Sequence, residues 1–168
     1  ELSRVRKETA KSSSEKVCNE LRFLDMPHIE FLVDFSEVSL CENGVDSAEF
    51  LISANVGEAP KPITKIASGG ELSRIMLALK TIMANKDKVE TMIFDEIDTG
   101  VSGIAAQRVG EKLYSVSLGK QVMCVTHLPQ IAAMGQHHYK VWKEDTATAT
   151  LSHISPLTKE ERITEIAN

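Results

Sequence analysis

The sequence predicts an α/β fold: a parallel βαβ core with an antiparallel hairpin and a leading helix. Three observations carry that expectation. Two short apolar runs, 91–94 and 122–125, flank a helical segment near 103–117, which is the spacing of a strand–helix–strand unit with a right-handed crossover. An Asn43-Gly44 step separates two strand-like runs, a strong hairpin signal. Residues 1–25 are polar, with Val17, Leu21 and Leu24 on one helical face, as an amphipathic helix requires.

Taken in order, that first helix should stop at Pro27, because the residue before a proline is pushed out of helical geometry. It reads equally as a surface helix or as the end of a longer helical arm, since its pattern covers too few turns to define a coiled coil. The hairpin strands are expected at 29–35 and 48–54, followed by a loop with Pro60 and Pro62. From Ser68 the period becomes helical. Leu72, Ile75, Met76, Leu79, Ile82 and Met83 follow three-and-four spacing, so that stripe is expected to face inward, with Asn85 and Lys86 ending the helix. The runs 91–94 and 122–125 are continuous and apolar, the signature of parallel strands buried on both faces. Two further strands are expected at 139–143 and 149–154, and a helix from Thr158. Trp142 and the scattered methionines read as core or strand residues.

The 168 residues suffice for one domain with a real core. No run approaches the ~18 apolar residues of a membrane span, and the N-terminus is too polar for a signal peptide. The chain opens on Glu1 and stops at Ile166-Ala167-Asn168 within a helical pattern, so a piece of a larger protein is expected. The three cysteines, Cys18, Cys41 and Cys124, are odd in number and form no C-x-x-C pair; a reducing cytoplasm fits them better than a disulfide framework or zinc site. The net charge of −5 lends no support to DNA binding by this piece alone, although a local basic patch is compatible with it.

Two constellations carry chemistry. Ser68-Gly69-Gly70-Glu71 opens a helix. Ser68 and Glu71 have capping-box spacing, but capping leaves the glycines unexplained, since each costs up to ~1 kcal/mol relative to alanine in a helix. A bare helix start, with free N–H groups and about half a positive charge, suits a phosphate. Asp95 and Glu96 follow the 91–94 strand directly. One carboxylate can hold Mg²⁺ while its neighbour orients and deprotonates an attacking water. His127 follows the second buried strand, so all three residues fall beyond strand carboxyl ends, where ligands bind in such sheets. Its imidazole suits a γ-phosphate or the attacking water. His137 and His138 lack matching ligand spacing and read as surface residues.

Together these stretches resemble the ABC-type ATPases: Ser68–Glu71 their signature motif, Met92-Ile93-Phe94-Asp95-Glu96 their Walker B strand and catalytic glutamate, and Thr126-His127 their switch histidine. The wider runs 66–78, 94–103 and 125–132 are closer to the RecN family of bacterial recombination and DNA-repair proteins, relatives of the SMC chromosome proteins. This resemblance implies the C-terminal half of an ABC/SMC-type P-loop NTPase head, with 1–26 the returning end of a coiled-coil arm and 27–168 the lobe itself. It implies ATP and Mg²⁺ as cofactors, Asp95 as the metal ligand, and Glu96 and His127 as catalytic residues. Ser68, Gly69, Gly70 and Glu71 would serve the nucleotide of an opposing head.

The implied partners are the N-terminal P-loop lobe of the same protein, a second head in a homodimer, and DNA through the full-length protein; no membrane is implied, and the location would be cytoplasmic and nucleoid-associated. Asp98, Thr99, Gly100 and Ser102 occupy the D-loop region. Two departures stand out: Ala67 where many relatives have leucine, and Ser102 where transporters have the D-loop aspartate. Ile97-Asp98 also replaces the proline and threonine usual in transporter subunits. Other expectations compatible with the residues are a head lobe of another SMC-like or nuclease-associated repair ATPase, or a dimerisation module inactive in isolation. Gly119-Lys120 is followed by Gln121 and lacks the upstream glycine of a P-loop, so ATP hydrolysis, which the resemblance implies, is expected of the full-length protein and not of this chain alone.

Overall fold

A computed structural model describes residues 1–53, 55–66, 68–83, 88–146 and 148–167. The leading helix α1 spans Leu2–Phe23. Its Val17 and Leu21, with Leu24 just beyond, are buried, so the expected apolar face packs inward. Arg6 and Ser3 bond the Asp46 carboxylate, pinning the start of α1 to the hairpin turn. At its other end, Lys112 forms an ion pair with Glu20 at 2.6 Å and lies over the Phe23 ring, 5.0 Å from its centroid.

The hairpin strands β1 (Glu30–Cys41) and β2 (Gly44–Ser53) run further toward the turn than expected. They pair antiparallel from Glu30↔Ser53 to Cys41↔Gly44, with a register shift between Glu37 and Cys41. Gly44 takes the left-handed φ of +97° that this tight return demands. A short third strand, β3 (Lys61–Pro62), pairs with β2, and residues Ile63–Lys65 form a 3₁₀ turn. Both lie where sequence gave only a proline-bearing loop; two residues are too few for a period.

Helix α2 spans Gly69–Met83. Its orientation corrects the expectation: Ile75, Leu77 and Ala78 are buried together with Arg74, while Leu72, Met76 and Met83 are exposed. Leu79 and Ile82 are partly buried against the core. The helix is apolar on most sides, so periodicity alone did not select the packed face. The expected end at Asn85 and Lys86, like Ala54 and Ala67, lies outside the described residues.

Strands β4 (Thr91–Phe94) and β5 (Gln121–Cys124) pair in parallel, joined by α3 (Gly103–Ser117). The βαβ unit is therefore as read. Burial on both faces is not: Met92 and Phe94 are buried, whereas Ile93 is 69% exposed and Met123 53%. One face joins the core with α3, and the other is bare among the described residues.

A short α4 (Pro129–Ala132), β6 (Tyr139–Asp145), β7 (Thr150–Pro156) and α5 (Lys159–Ala167) complete the chain. Strands β6 and β7 pair antiparallel. Trp142 is a strand residue stacked on His153, centroids 5.2 Å apart, and is not in the core. Helix α5 begins with a reciprocal capping box: Thr158 N–H donates to Glu161, and Glu161 N–H donates to the Thr158 hydroxyl. A single hydrophobic cluster links α1, the hairpin, α2, β4 and α3. Among the described residues, no helix is long and apolar enough to cross a membrane.

Candidate functional site

The chemistry-bearing residues collect where β4 and β5 end. Phe94 hands over to Asp95, and the Val125 amide donates to the Phe94 carbonyl at 2.9 Å, extending the parallel pairing to the point where the two turns diverge. One turn carries Asp95–Gly100, the other Thr126–Leu128.

The first turn is tightly specified. The Glu96 amide donates to Asp95 Oδ1 at 2.9 Å, and Glu96 sits in the left-handed region at φ +57°. A non-glycine residue there costs on the order of 1–3 kcal/mol and persists only when its surroundings fix it. Here the Thr99 amide closes the turn on the Glu96 carbonyl at 3.0 Å, and buried Ile97 anchors it in the core. Asp95 is left exposed, with one carboxylate oxygen bonded to the adjacent amide.

Helix α2 begins against this turn. Ser68 caps it, with the Glu71 amide 3.4 Å from the Ser68 hydroxyl and the Leu72 amide 3.0 Å from the Ser68 carbonyl. The two glycines then make close approaches. A Cβ on Gly70 would fall 2.6 Å from the Thr99 carbonyl oxygen and 3.2 Å from that of Glu96, whereas on Gly69 it would meet only the tip of the Glu96 side chain. Further along α2, the Ser73 hydroxyl donates to the Asp95 carbonyl at 2.8 Å. Arg74 Nη1 donates to the Thr99 carbonyl at 2.8 Å. Arg74 is buried, and its burial outweighs the pull of Glu71 and Asp25 to lower its pKa. Signature-like helix and carboxylate turn are thus one unit. The glycines have a packing reason beside the expected anion-binding one, and sequence reasoning missed it because the turn that touches them lies a whole helix away.

The second turn is held by Asp98 of the first, which is only 5% exposed. Its Oδ2 accepts from the Thr126 hydroxyl at 2.6 Å and from the His127 amide at 2.9 Å, and lies 3.0 Å from His127 Nδ1. Burial alone would raise this carboxyl; Thr126, the His127 amide and the His127 ring together hold it below its ordinary value. The expected grouping of His127 with Asp95 and Glu96 therefore holds at the level of the sheet edge, while its direct partner is Asp98. Cys124, at the end of β5, is pushed up to about 12 by burial and by Asp98 and Asp95, so it stays a protonated thiol.

Ser102 starts α3 with extended backbone and no side-chain cap bond. The turn before it bends through Gly100 at φ +76°, and α3 opens on Gly103 at φ +53°. Elsewhere, His138 corrects the surface reading: it is half-buried, its Nε2 has no hydrogen-bond partner, and burial with nearby Arg162 lowers its pKa.

Among the described residues, no three His, Cys, Asp or Glu groups gather as a metal cage. Asp95 alone still suits Mg²⁺, which takes one or two carboxylates and fills its shell with water and phosphate oxygens.

No family model matches the chain. It is 46% identical over 171 residues to DNA repair protein RecN of Halalkalibacterium halodurans, covering 99% of this chain and 30% of that protein. DNA repair protein RecN of Bacillus subtilis is 43% identical over 181 residues, covering 98% of this chain and 31% of the relative. The chain thus spans under a third of the length of these curated relatives. A solved Smc head domain with a coiled coil and joint, from Pyrococcus yayanosii, superposes with a TM-score of 0.66 at 18% identity, over 95% of this chain and 29% of that one. At that identity the likeness establishes the fold alone, which is that of part of an SMC head domain.

Two outcomes follow from the packing. Gly70→Ala should destabilise the chain, because an overpacking cost of ~1–3 kcal/mol exceeds a helix-propensity gain of up to ~1 kcal/mol. Gly69→Ala should be neutral or stabilising, since only the flexible Glu96 tip must move; equal melting temperatures for the two variants would contradict this packing. The depressed Asp98 carboxyl stabilises the fold above its unfolded-state pKa, and that contribution is lost as pH falls through its folded-state value. The melting-temperature gap between wild type and Asp98→Asn should therefore be widest at neutral pH and shrink below about pH 4. A gap that does not change with pH would count against an ionised Asp98.

Proposed function

The chain belongs to the RecN family of DNA repair proteins, and from that membership we propose that it supplies the C-terminal lobe of an ATP-hydrolysing head acting in recombinational repair of DNA double-strand breaks. The observation that carries this reading is the bonding of Ser73 and Arg74 to the Asp95–Thr99 turn. It aims a glycine-rich helix start and two carboxylates at one edge of a parallel sheet, as nucleotide chemistry requires.

In this reading Asp95 holds Mg²⁺, directly or through water, and the ion supplies neutralisation of charge on the phosphates. Glu96 orients and deprotonates the attacking water, and His127 presents its ring from the neighbouring turn. Ser68, Gly69, Gly70 and Glu71 offer helix N–H groups and a hydroxyl to ATP held by a second head. The exposed Glu96 side chain lies beside Gly69 at the start of α2 in the same chain. Asp98, Thr99, Gly100 and Ser102 form the D-loop that adjoins both sites.

The P-loop is the missing half. The bare face of β4 and β5, with Ile93 and Met123 exposed, suits burial against an N-terminal P-loop lobe. Residues 1–26 are then the returning end of a coiled-coil arm and 27–168 the lobe proper. Without P-loop amides and lysine, the chain in isolation is inactive in hydrolysis and serves association only. The whole protein works as a homodimer of heads on DNA, in the cytoplasm and at the nucleoid.

The test uses the complete protein. Glu96→Gln should lower ATP turnover by ~100-fold or more while heads remain associated in ATP, as read by chromatography with light scattering. Wild-type turnover in this variant would remove Glu96 from the mechanism. Ser68→Arg should abolish ATP-dependent head association with the circular dichroism spectrum retained; association at the wild-type level would show that the serine is only a helix cap.

A further inference from the structure

The Asp98 carboxylate is nearly inaccessible to solvent, yet a single oxygen accepts from the Thr126 hydroxyl and the His127 amide and lies 3.0 Å from His127 Nδ1, all in the segment after β5. An ionised carboxylate can only accept hydrogen bonds. The ring nitrogen that faces it at 3.0 Å must therefore carry the hydrogen, and in a neutral imidazole the other nitrogen is then left bare. The His127 side chain is 77% exposed, and its turn follows β5 as Asp95 and Glu96 follow the paired β4.

We infer that Asp98 is the positioning residue of His127, fixing its Nδ1–H tautomer and ring orientation so that Nε2 faces the nucleotide edge as a hydrogen-bond acceptor for water. The logic is that of any histidine whose working nitrogen is defined by what the other nitrogen holds. The amide bond to the same oxygen fixes the backbone of His127, and the Thr126 hydroxyl fixes the carboxylate. The hydroxyl also accepts from the Leu128 amide at 3.1 Å, so the whole turn is referenced to Asp98. The inference rests on the proposed role of His127 for its catalytic consequence, but the tautomer itself does not depend on that role.

A purely structural Asp98 would stabilise the turn and leave the ring free to choose. An unassisted histidine side chain favours the Nε2–H tautomer, so the two cases differ in a direct observable. Two-bond ¹H–¹⁵N correlation spectra of the ¹⁵N-histidine-labelled chain, recorded above the titration range of the rings, report the tautomer. The His127 signals are assigned by their loss in His127→Gln. The expected result is Nδ1–H for His127 in the wild type and in Thr126→Val, with a shift toward Nε2–H in Asp98→Asn and the signals of His28 and His137 unmoved. A wild-type Nε2–H tautomer, or a tautomer unaltered by Asp98→Asn, overturns the proposal. The wild-type spectrum decides by itself if Asp98→Asn does not fold.

In the complete protein, Asp98→Asn should lower kcat by ~10–100-fold, the usual cost of removing an outer partner of a working histidine. KM for ATP should change little, and no further loss should appear when the substitution is added to His127→Gln. A loss in Asp98→Asn that adds in full to that of His127→Gln would overturn action through the ring. If His127→Gln retains full turnover while the tautomer shifts as expected, the catalytic role of His127 fails and the positioning by Asp98 stands.

Discussion

The close approach of α2 to the Glu96–Thr99 turn is the constraint on which the rest of the site depends. A Cβ at Gly70 would sit 2.6 Å from a main-chain oxygen, a distance no side-chain motion can relieve. Only with that Cβ absent can the first turn of α2 lie on the carboxylate turn, and only then do the Ser73 hydroxyl and Arg74 guanidinium reach the Asp95 and Thr99 carbonyls. A helix start rich in glycine costs up to ~1 kcal/mol per residue. Two hydrogen bonds, one from a charged donor, contribute about 1–3 kcal/mol each at most, so the arrangement holds because the contacts come as a set.

Arg74 shows what that set must offset. It is 7% exposed, its Nε has no hydrogen-bond partner, and burial lowers its pKa despite Glu71 and Asp25. A buried cation with incomplete pairing is weak evidence of stabilisation. Its geometric effect is clearer: the Thr99 carbonyl it holds belongs to the same loop whose Asp98 side chain governs the His127 turn. One face of this loop is therefore read by α2 and the other by the segment after β5. The Arg74 bond and the His127 bonds thus meet on adjacent residues of one loop, Thr99 and Asp98.

Much of this was legible in sequence, and the boundary of legibility has physical causes. Helix α3, the β4–β5 pair and the Asn43-Gly44 hairpin were readable because their signals are local: periodicity, an apolar run, a turn dipeptide. The packed face of α2 was not, because Leu72 and Met76 are as apolar as Leu77 and Ala78, and only the tertiary position of Arg74 and Gly70 selects between them. Motif singled out the candidate site residues, but not their mutual contacts. The Asp98–His127 pairing spans 29 residues, and nothing within either segment announces the other. A signal existed at Gly70, whose cost in a helix demanded a close neighbour of some kind; sequence offered a phosphate, and the structure adds the Thr99 carbonyl.

The error about β4 and β5 is instructive in a different way. Their continuous apolar composition implies two covered faces, yet Ile93, Met123 and Val125 are exposed at 69%, 53% and 61%. Composition responds to the environment in which a strand functions, whereas burial is measured against the residues present. A disagreement over a whole sheet face accords with the proposal that a further lobe covers it. The exposed stripe Leu72, Met76 and Met83 on α2 shows the same disagreement on a second element. Scattered apolar residues at a surface need no explanation, but contiguous ones on a parallel sheet do. The same logic holds at the sheet edge, where a helix start, two carboxylates and a histidine fall together. The residues that carry this disagreement are hydrophobic ones on the sheet face, Ile93, Met123 and Val125, and they sit on or directly after the same two paired strands that lead into the carboxylates and His127.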